Sequence, residues 1–536
     1  MKKRILTGLM AALLAASFAS CGNNSTSTSA STESSKASES TSATEEASAE
    51  ESSSDSDPAA EAIAARTEPA HLVVNWFTFT GAPAGLDRIE EKMNELTIPA
   101  LNIEAKLQVT DYGSRSQQLT LQISGGEQLD IVQSLGVGYT NGIANDYWED
   151  LEQEVDGLPL LQTYGQGIIE TMGDTYINAA RFSDGVLYGI PQQKEQAGGR
   201  FSIAVRTDCL KNAESAMDLV PNYEGEYWQI DNGLDDLVTI IKALHDTNPG
   251  MDAFDPQSGY LCWTKVDSMG DYFGVLGNWG TGDIVDFFRE ESYLDMVHAM
   301  RELYEYGCIN PSAITDTTAS SAKIIAGTTC SFISQYKPGS RIQENASCQN
   351  DMTFVYGGPN FTASNSVASM PWCITVNNSD LVAAMQYLNF MYTSSDWNNL
   401  FNWGEEGVDY TVEDGTAKVG SEAEYQHSVQ WICPGQFKAY PAYGNPTNLW
   451  DLYEDFNENA IVSEASGFIF DKTPVVNEYT AVSNVYSEYQ KSIEFGAVDP
   501  DSAIDEMEAK LASAGYQKIL DEKQRQYDEW KAANGK

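Results

Sequence analysis

The sequence predicts two α/β lobes joined by a hinge and finished by a helical C-terminal region. Three observations lead there. The 536 residues exceed what one hydrophobic core usually organises. Residues 71–133 read strand, helix, strand, helix, strand, and the alternation resumes beyond a polar stretch at 192–199. From residue 474 onward the pattern is helical almost throughout. Composition agrees, since 42% hydrophobic and 11% aromatic residues exclude wholesale disorder. With 31 Lys+Arg against 78 Asp+Glu and a formal charge of −47, nucleic-acid binding is excluded as well, because it needs a basic surface that releases phosphate counterions.

The elements follow in order. Met1-Lys2-Lys3-Arg4 is a basic start, and 5–16 is an apolar run of about 12 residues, too short to span a hydrocarbon core of roughly 30 Å. Residues 1–20 therefore read as a signal peptide. Phe18-Ala19-Ser20-Cys21 resembles a bacterial lipobox with Phe18 in place of the usual Leu, so Cys21 is the expected lipid anchor. Diacylation, with palmitate-type chains, supplies the two chains that stable anchoring takes. Residues 21–68 are Ser, Thr, Ala and Glu with no aromatic residue, a disordered, self-repelling tether. No later stretch is apolar for 18 residues, so any membrane channel must be a separate chain.

Residues 71–77 are an apolar strand, and Leu86, Ile89, Met93 and Leu96 share one helical face. Leu101, Ile103, Ala105, Leu107 and Val109 alternate at strand period, 114–123 suits a helix stopped by Gly125-Gly126, and 129–133 is a third strand. Such units form a parallel sheet that binds ligands beyond the carboxyl ends of its strands, here 76–81, 110–113 and 134–138. Residues 185–191 and 201–206 read as strands on either side of a connection between lobes. Helices are expected at 234–245, 293–306 and 320–326, a strand at 328–334, and a second crossing near Gly357-Gly358-Pro359. Strand 367–376 and helix 381–392 follow. The predicted division is 69–195 for the first part of lobe 1, 196–358 for the first part of lobe 2, 359–410 for a return to lobe 1, and 411–536 for lobe 2 with the C-terminal helices.

Enzyme readings find no support. There is no G-x-S-x-G elbow, and His71, His245, His298 and His427 are dispersed, without an HExxH pair. Beyond Cys21 the seven cysteines are odd in number and without CxxC spacing, so they read mostly as buried small hydrophobes, with a Cys330–Cys348 disulfide left open. No cofactor or metal is expected.

The order of lipobox, Ser/Thr/Glu tether, Trp76-Phe77 strand, the run 125–132 (GGEQLDIV) and the run 184–193 (DGVLYGIPQQ) resembles the extracellular solute-binding proteins of ABC importers, family 1. Residues 402–410, 496–500, 515–516 and 526–530 are similar to the LipO-like lipoprotein branch of that family. The resemblance implies a two-lobed, periplasmic-binding-protein-like (type II) fold that closes on a ligand. It also implies a monomer that presents the ligand to permease subunits, without catalysis.

A carbohydrate or oligosaccharide is the favoured ligand. Sugar sites pair aromatic platforms with amide and carboxylate partners in a concave pocket. Trp76 stands either as such a platform or as core. Gln192 and Glu195, just after Gly189-Ile190-Pro191, stand either at the hinge mouth or on a solvated loop, and Trp279 sits on a Gly-rich rim. Trp372 and Trp403 are of the same kind. The resemblance adds Tyr112 and Ser134, after the second and third strands, and Tyr336, where maltose-binding relatives carry an aromatic platform. A peptide or other small solute is the alternative ligand, and an adhesin without import is the alternative role.

Overall fold

The computed structural model describes residues 57–79, 81–256 and 260–536. Cys21 and most of the predicted tether lie outside them. The first sheet has the strand order Trp372–Ile374, Ile131–Gln133, Ala70–Thr78, Ile103–Asp111. Ala70–Thr78 is parallel to both neighbours, and the returning Trp372–Ile374 is antiparallel. This is the predicted βαβαβ unit, closed by a strand from far along the chain. Helix Leu86–Leu101 turns Ile89 and Met93 into the core, as its period requires, and stops at Asn102 in the left-handed region.

The second sheet, Ser331–Phe332, Ser202–Arg206, Met352–Tyr356, Trp228–Gln229, supports a separate core. Ile203, Val205, Leu237, Ile240, Met296 and Met300 belong to that core. Helices Val476–Glu494, Pro500–Ala514 and Tyr516–Ala533 pack into it, so the helical tail is part of the second lobe. Lys523, 0% exposed, binds Asp271 Oδ1 at 2.6 Å and the Gly274 carbonyl at 2.9 Å, which ties the last helix down.

The chain crosses between the lobes three times. Each crossing contributes one short strand to a single ribbon, in the order Ile461–Val462, Asn360–Thr362, Gly198–Gly199. The pairs are Phe361 with Gly198 and Ile461, Asn360 with Gly199, and Thr362 with Val462. The hinge is therefore a three-stranded sheet.

Several expectations shift. Residues 185–191 form no strand beyond the bridge of Ile190 to Trp372, and the strand expected at 367–376 shrinks to Trp372–Ile374. The return to the first lobe runs past 410, because Tyr425, Val429, Ile432 and Cys433 lie in the first core. The last tether residues fold as helix Pro58–Ala65, capped by Asp57. Gln386 Nε2 donates to the Ala59 carbonyl at 2.8 Å, and Arg66 Nη1 donates to the Leu101 carbonyl at 2.9 Å. All seven described cysteines are buried and unbridged, and the thiol that Cys330 meets is that of Cys209, not Cys348.

His427 in the first lobe is held neutral. Its Nε2 donates to the Phe401 carbonyl at 2.6 Å, and its Nδ1 accepts from Val429 N at 3.2 Å, so a proton on Nδ1 has no acceptor. Burial lowers its pKa to about 4, against a smaller opposing effect of the Phe401 carbonyl. The unfolded chain takes up this proton near pH 6.5 and the folded chain near 4, so stability is full above 6.5 and falls as pH drops between them. Partial exposure reduces the effect to about 1–2 kcal/mol. Urea midpoints at pH 7.5 and 5 should differ accordingly, and His427→Gln should narrow the gap; an unchanged gap would exclude His427 as its source.

Candidate functional site at the hinge

Residues 192–199 bind all three crossings together. Gln192 Nε2 donates to the Met370 carbonyl at 2.5 Å, and Gln193 N to the Pro434 carbonyl at 2.9 Å. Asn457 Oδ1 accepts from Gln196 N at 2.8 Å and Ala197 N at 3.1 Å. The Gly198-Gly199 pair is a requirement of close approach, since a Cβ on Gly198 would lie 1.8 Å from Gln335 and one on Gly199 would lie 2.7 Å from Tyr356.

Beside this segment is a cavity of about 380 Å³ lined by Lys194, Gln196, Arg200, Ser268, Asn365 and Ser369, among others. Glu195, 9% exposed, also faces it. Glu195 Oε1 accepts from Lys337 Nζ at 2.7 Å, and Lys194 Nζ lies 3.8 Å from the same oxygen. Burial alone would raise the Glu195 pKa, but Lys337 and Lys194 outweigh it and hold the carboxyl below its ordinary value. Burial lowers the pKa of Lys194. Arg200 lies over the Phe361 ring at 4.6 Å and donates to the Leu261 carbonyl at 2.6 Å and the Val266 carbonyl at 3.2 Å.

Three buried polar atoms here meet no partner within the protein: Glu195 Oε2, Gln196 Oε1 and Arg200 Nε. Each such group costs about 1–3 kcal/mol until it is satisfied. Two acceptors and a donor on residues that line one cavity match hydroxyl groups, which both donate and accept.

The first lobe supplies an aromatic surface at the carboxyl ends of its parallel strands. Tyr112, 41% exposed, packs against Phe77 at 5.2 Å and Phe79 at 5.3 Å, and Phe77 meets Trp431 at 5.8 Å. Beneath it the fully buried Arg115 joins the strand ends. Its guanidinium donates to Leu135 O and Asn75 Oδ1 at 2.6 Å each, and to Thr110 Oγ1 and Gln133 O. Burial lowers its pKa to about 9.

Among the residues singled out from sequence, the structure brings Glu195 and Gln192 to the hinge and leaves Tyr112 on the open aromatic surface. Ser134 is fully buried at the third strand end, where its N–H donates to Pro371 at 3.0 Å. Trp279 is half-buried between Phe201 and Phe361 and lines a separate groove of about 780 Å³ in the second lobe. Tyr336 is buried against Tyr227 at 4.6 Å and Tyr356 at 4.8 Å. Trp76, Trp372 and Trp403 are core. Trp76 packs on Phe401, Trp372 donates to the Ile432 carbonyl at 2.8 Å, and Trp403 donates to the Tyr440 carbonyl at 2.9 Å. Indole surface satisfies a core as well as a sugar, and sequence alone does not separate the two uses. Sequence reasoning missed Gln196, Arg200 and Lys337. Arg200 directly follows the two glycines, a signal that could have found it; Lys337 carried none.

Two α/β lobes joined by three crossings are the fold of the two-lobed solute-binding proteins. Comparison with known proteins agrees. The chain is 22% identical over 481 residues to a carbohydrate ABC transporter substrate-binding protein of Streptococcus pneumoniae, covering 85% of this chain and 91% of that one. It is 22% identical over 372 residues to lipoprotein LipO of Bacillus subtilis, covering 63% and 70%. The N-glycan transport solute-binding protein NgtS of S. pneumoniae superposes with a TM-score of 0.72 at 20% identity, covering 86% of this chain and 98% of that one. A domain of unknown function, DUF3502, matches residues 464–532, in the helical tail of the second lobe. The chain is thus a distant relative of the carbohydrate solute-binding proteins and of LipO, as its sequence motifs implied, and has their two-lobed fold.

Proposed function

We propose that this protein is the substrate-binding component of a carbohydrate ABC importer, a monomer that captures an oligosaccharide between its lobes and delivers it to permease subunits. The observation that carries the reading is the hinge cavity, where Glu195 Oε2, Gln196 Oε1 and Arg200 Nε lack partners that a polyol supplies. The relationship to a carbohydrate ABC transporter substrate-binding protein supports it, as does the likeness to NgtS, which has also been solved with Man5GlcNAc. The ligand is expected to lie between the hinge pocket and the Tyr112 surface, because only contacts to both lobes favour the closed form.

A thermal-shift screen against oligosaccharides, single sugars and peptides tests this. A ligand that binds only the folded state adds about 2.7 kcal/mol at one hundred times its dissociation constant. Shifts confined to glycans are expected; shifts with peptides alone would overturn the reading. Anchoring is proposed through Cys21 on the outer face of the membrane, which the lipobox-like run ending at Cys21 and the relationship to lipoprotein LipO support. Cys21→Ala should move the protein from the washed membrane fraction to the medium. Retention on the membrane would rule out lipidation as the anchor.

A further inference from the structure

Local charge at the hinge runs opposite to that of the chain. The protein carries a formal −47, yet Lys194, Lys337 and Arg200 gather at or beside the pocket with Glu195 as the acid among them. Lys337 is matched by Glu195 at 2.7 Å. Lys194 is not matched: its nearest carboxylate oxygen, at 3.8 Å, is the one Lys337 already occupies. An ammonium group has three donors to place. Arg200 donates only to backbone carbonyls, and Arg115, under the first lobe's strand ends, donates only to carbonyl, amide and hydroxyl oxygens. Two further acids stand near the other cations: Asp267, near Arg200, accepts from Met269 N at 2.9 Å, Ser364 N at 2.9 Å and Ser364 Oγ at 3.0 Å, and Glu344, near Lys337, accepts from Ser334 Oγ at 3.0 Å. Of the three cations, Lys194 is the one left without a carboxylate of its own.

We propose that the bound glycan presents a sugar carboxylate, as in a hexuronate unit, to the hinge pocket, with Lys194 as its partner. This rests on the carbohydrate reading above. Buried cations without counter-charges are unfavourable until an anion arrives, and a carboxylate on the ligand supplies one. The unpartnered acceptors Glu195 Oε2 and Gln196 Oε1 decide against inorganic phosphate or sulfate, because such an ion offers them few or no donors, whereas a sugar acid brings hydroxyls with its carboxylate. The strongly acidic surface limits non-specific binding of anions, so the preference belongs to the site.

Isothermal titration of the detergent-solubilised full chain with a hexuronate trisaccharide and its carboxyl-reduced neutral counterpart decides the matter. The acidic form is expected to bind at least tenfold more tightly, and the ratio to fall below about threefold in Lys194→Met, a substitution of similar volume that removes no hydrogen bond. Equal or tighter binding of the neutral trisaccharide by the native protein overturns the proposal while the carbohydrate reading stands. A preference that survives in Lys194→Met overturns the assignment to Lys194. Binding of neither trisaccharide, with peptides bound instead, overturns the reading beneath it.

Discussion

Trp76→Ala should lower the unfolding free energy by about 4 kcal/mol, as expected for removing a large buried aromatic residue, while glycan affinity stays within about twofold. Trp76 is 0% exposed in the central strand of the first sheet, and its ring meets Phe401 at 5.2 Å. Phe401 in turn stacks on Trp397 at 5.4 Å and meets Trp372 at 6.4 Å, so the cavity opens in a close-packed aromatic group that cannot collapse around it. Urea unfolding and titration on the same preparation separate the outcomes. A small stability change together with a tenfold loss of affinity would put Trp76 in the ligand site instead.

Glu195→Gln should weaken glycan binding at least tenfold and cost about 3 kcal/mol of stability, because Lys337 is left charged and buried without its partner. The double variant Glu195→Gln/Lys337→Met should recover most of the stability, since the Lys337 charge that lost its partner is then removed as well, but not the affinity. Recovery of both would make Glu195 a brace for Lys337 and not a ligand contact. The pH dependence has a definite sign. Lys337 and Lys194 hold the Glu195 carboxyl below its ordinary value, so the pair's contribution is present above the unfolded pKa near 4.3 and is lost as pH falls through the lowered folded value.

The fold was more legible than the site, for physical reasons. Alternation from Leu101 to Val109 and the helical face of Leu86, Ile89, Met93 and Leu96 report burial through local periods, and the structure places them as read. Residues 185–191 misled because an apolar run buried in a loop has the composition of a strand. Helix Pro58–Ala65 escaped because it is held by distant partners, Gln386 and Leu101, that its own composition does not advertise. Glu195 could be found because it closely follows Gly189-Ile190-Pro191. Lys337 could not, because it reaches Glu195 from 142 residues away, beside the bridge of Tyr336 to Gly199. Nor did the total charge help: it describes solvated surface, whereas the pocket gathers the opposite sign.

The ribbon at the hinge has a mechanical consequence. Three loose linkers would let one lobe slide, tilt and rotate against the other, and the motion would have many independent coordinates. Here the paired residues Gly198, Phe361 and Ile461, with Gly199, Asn360, Thr362 and Val462, stitch the linkers side by side. A strip of sheet resists stretching and shear, which break its ladder, and yields to bending and twist, which preserve it. Motion between the lobes would thereby be restricted to a narrow family of trajectories, and the permease proposed above, if it touched both lobes, would meet a nearly binary signal.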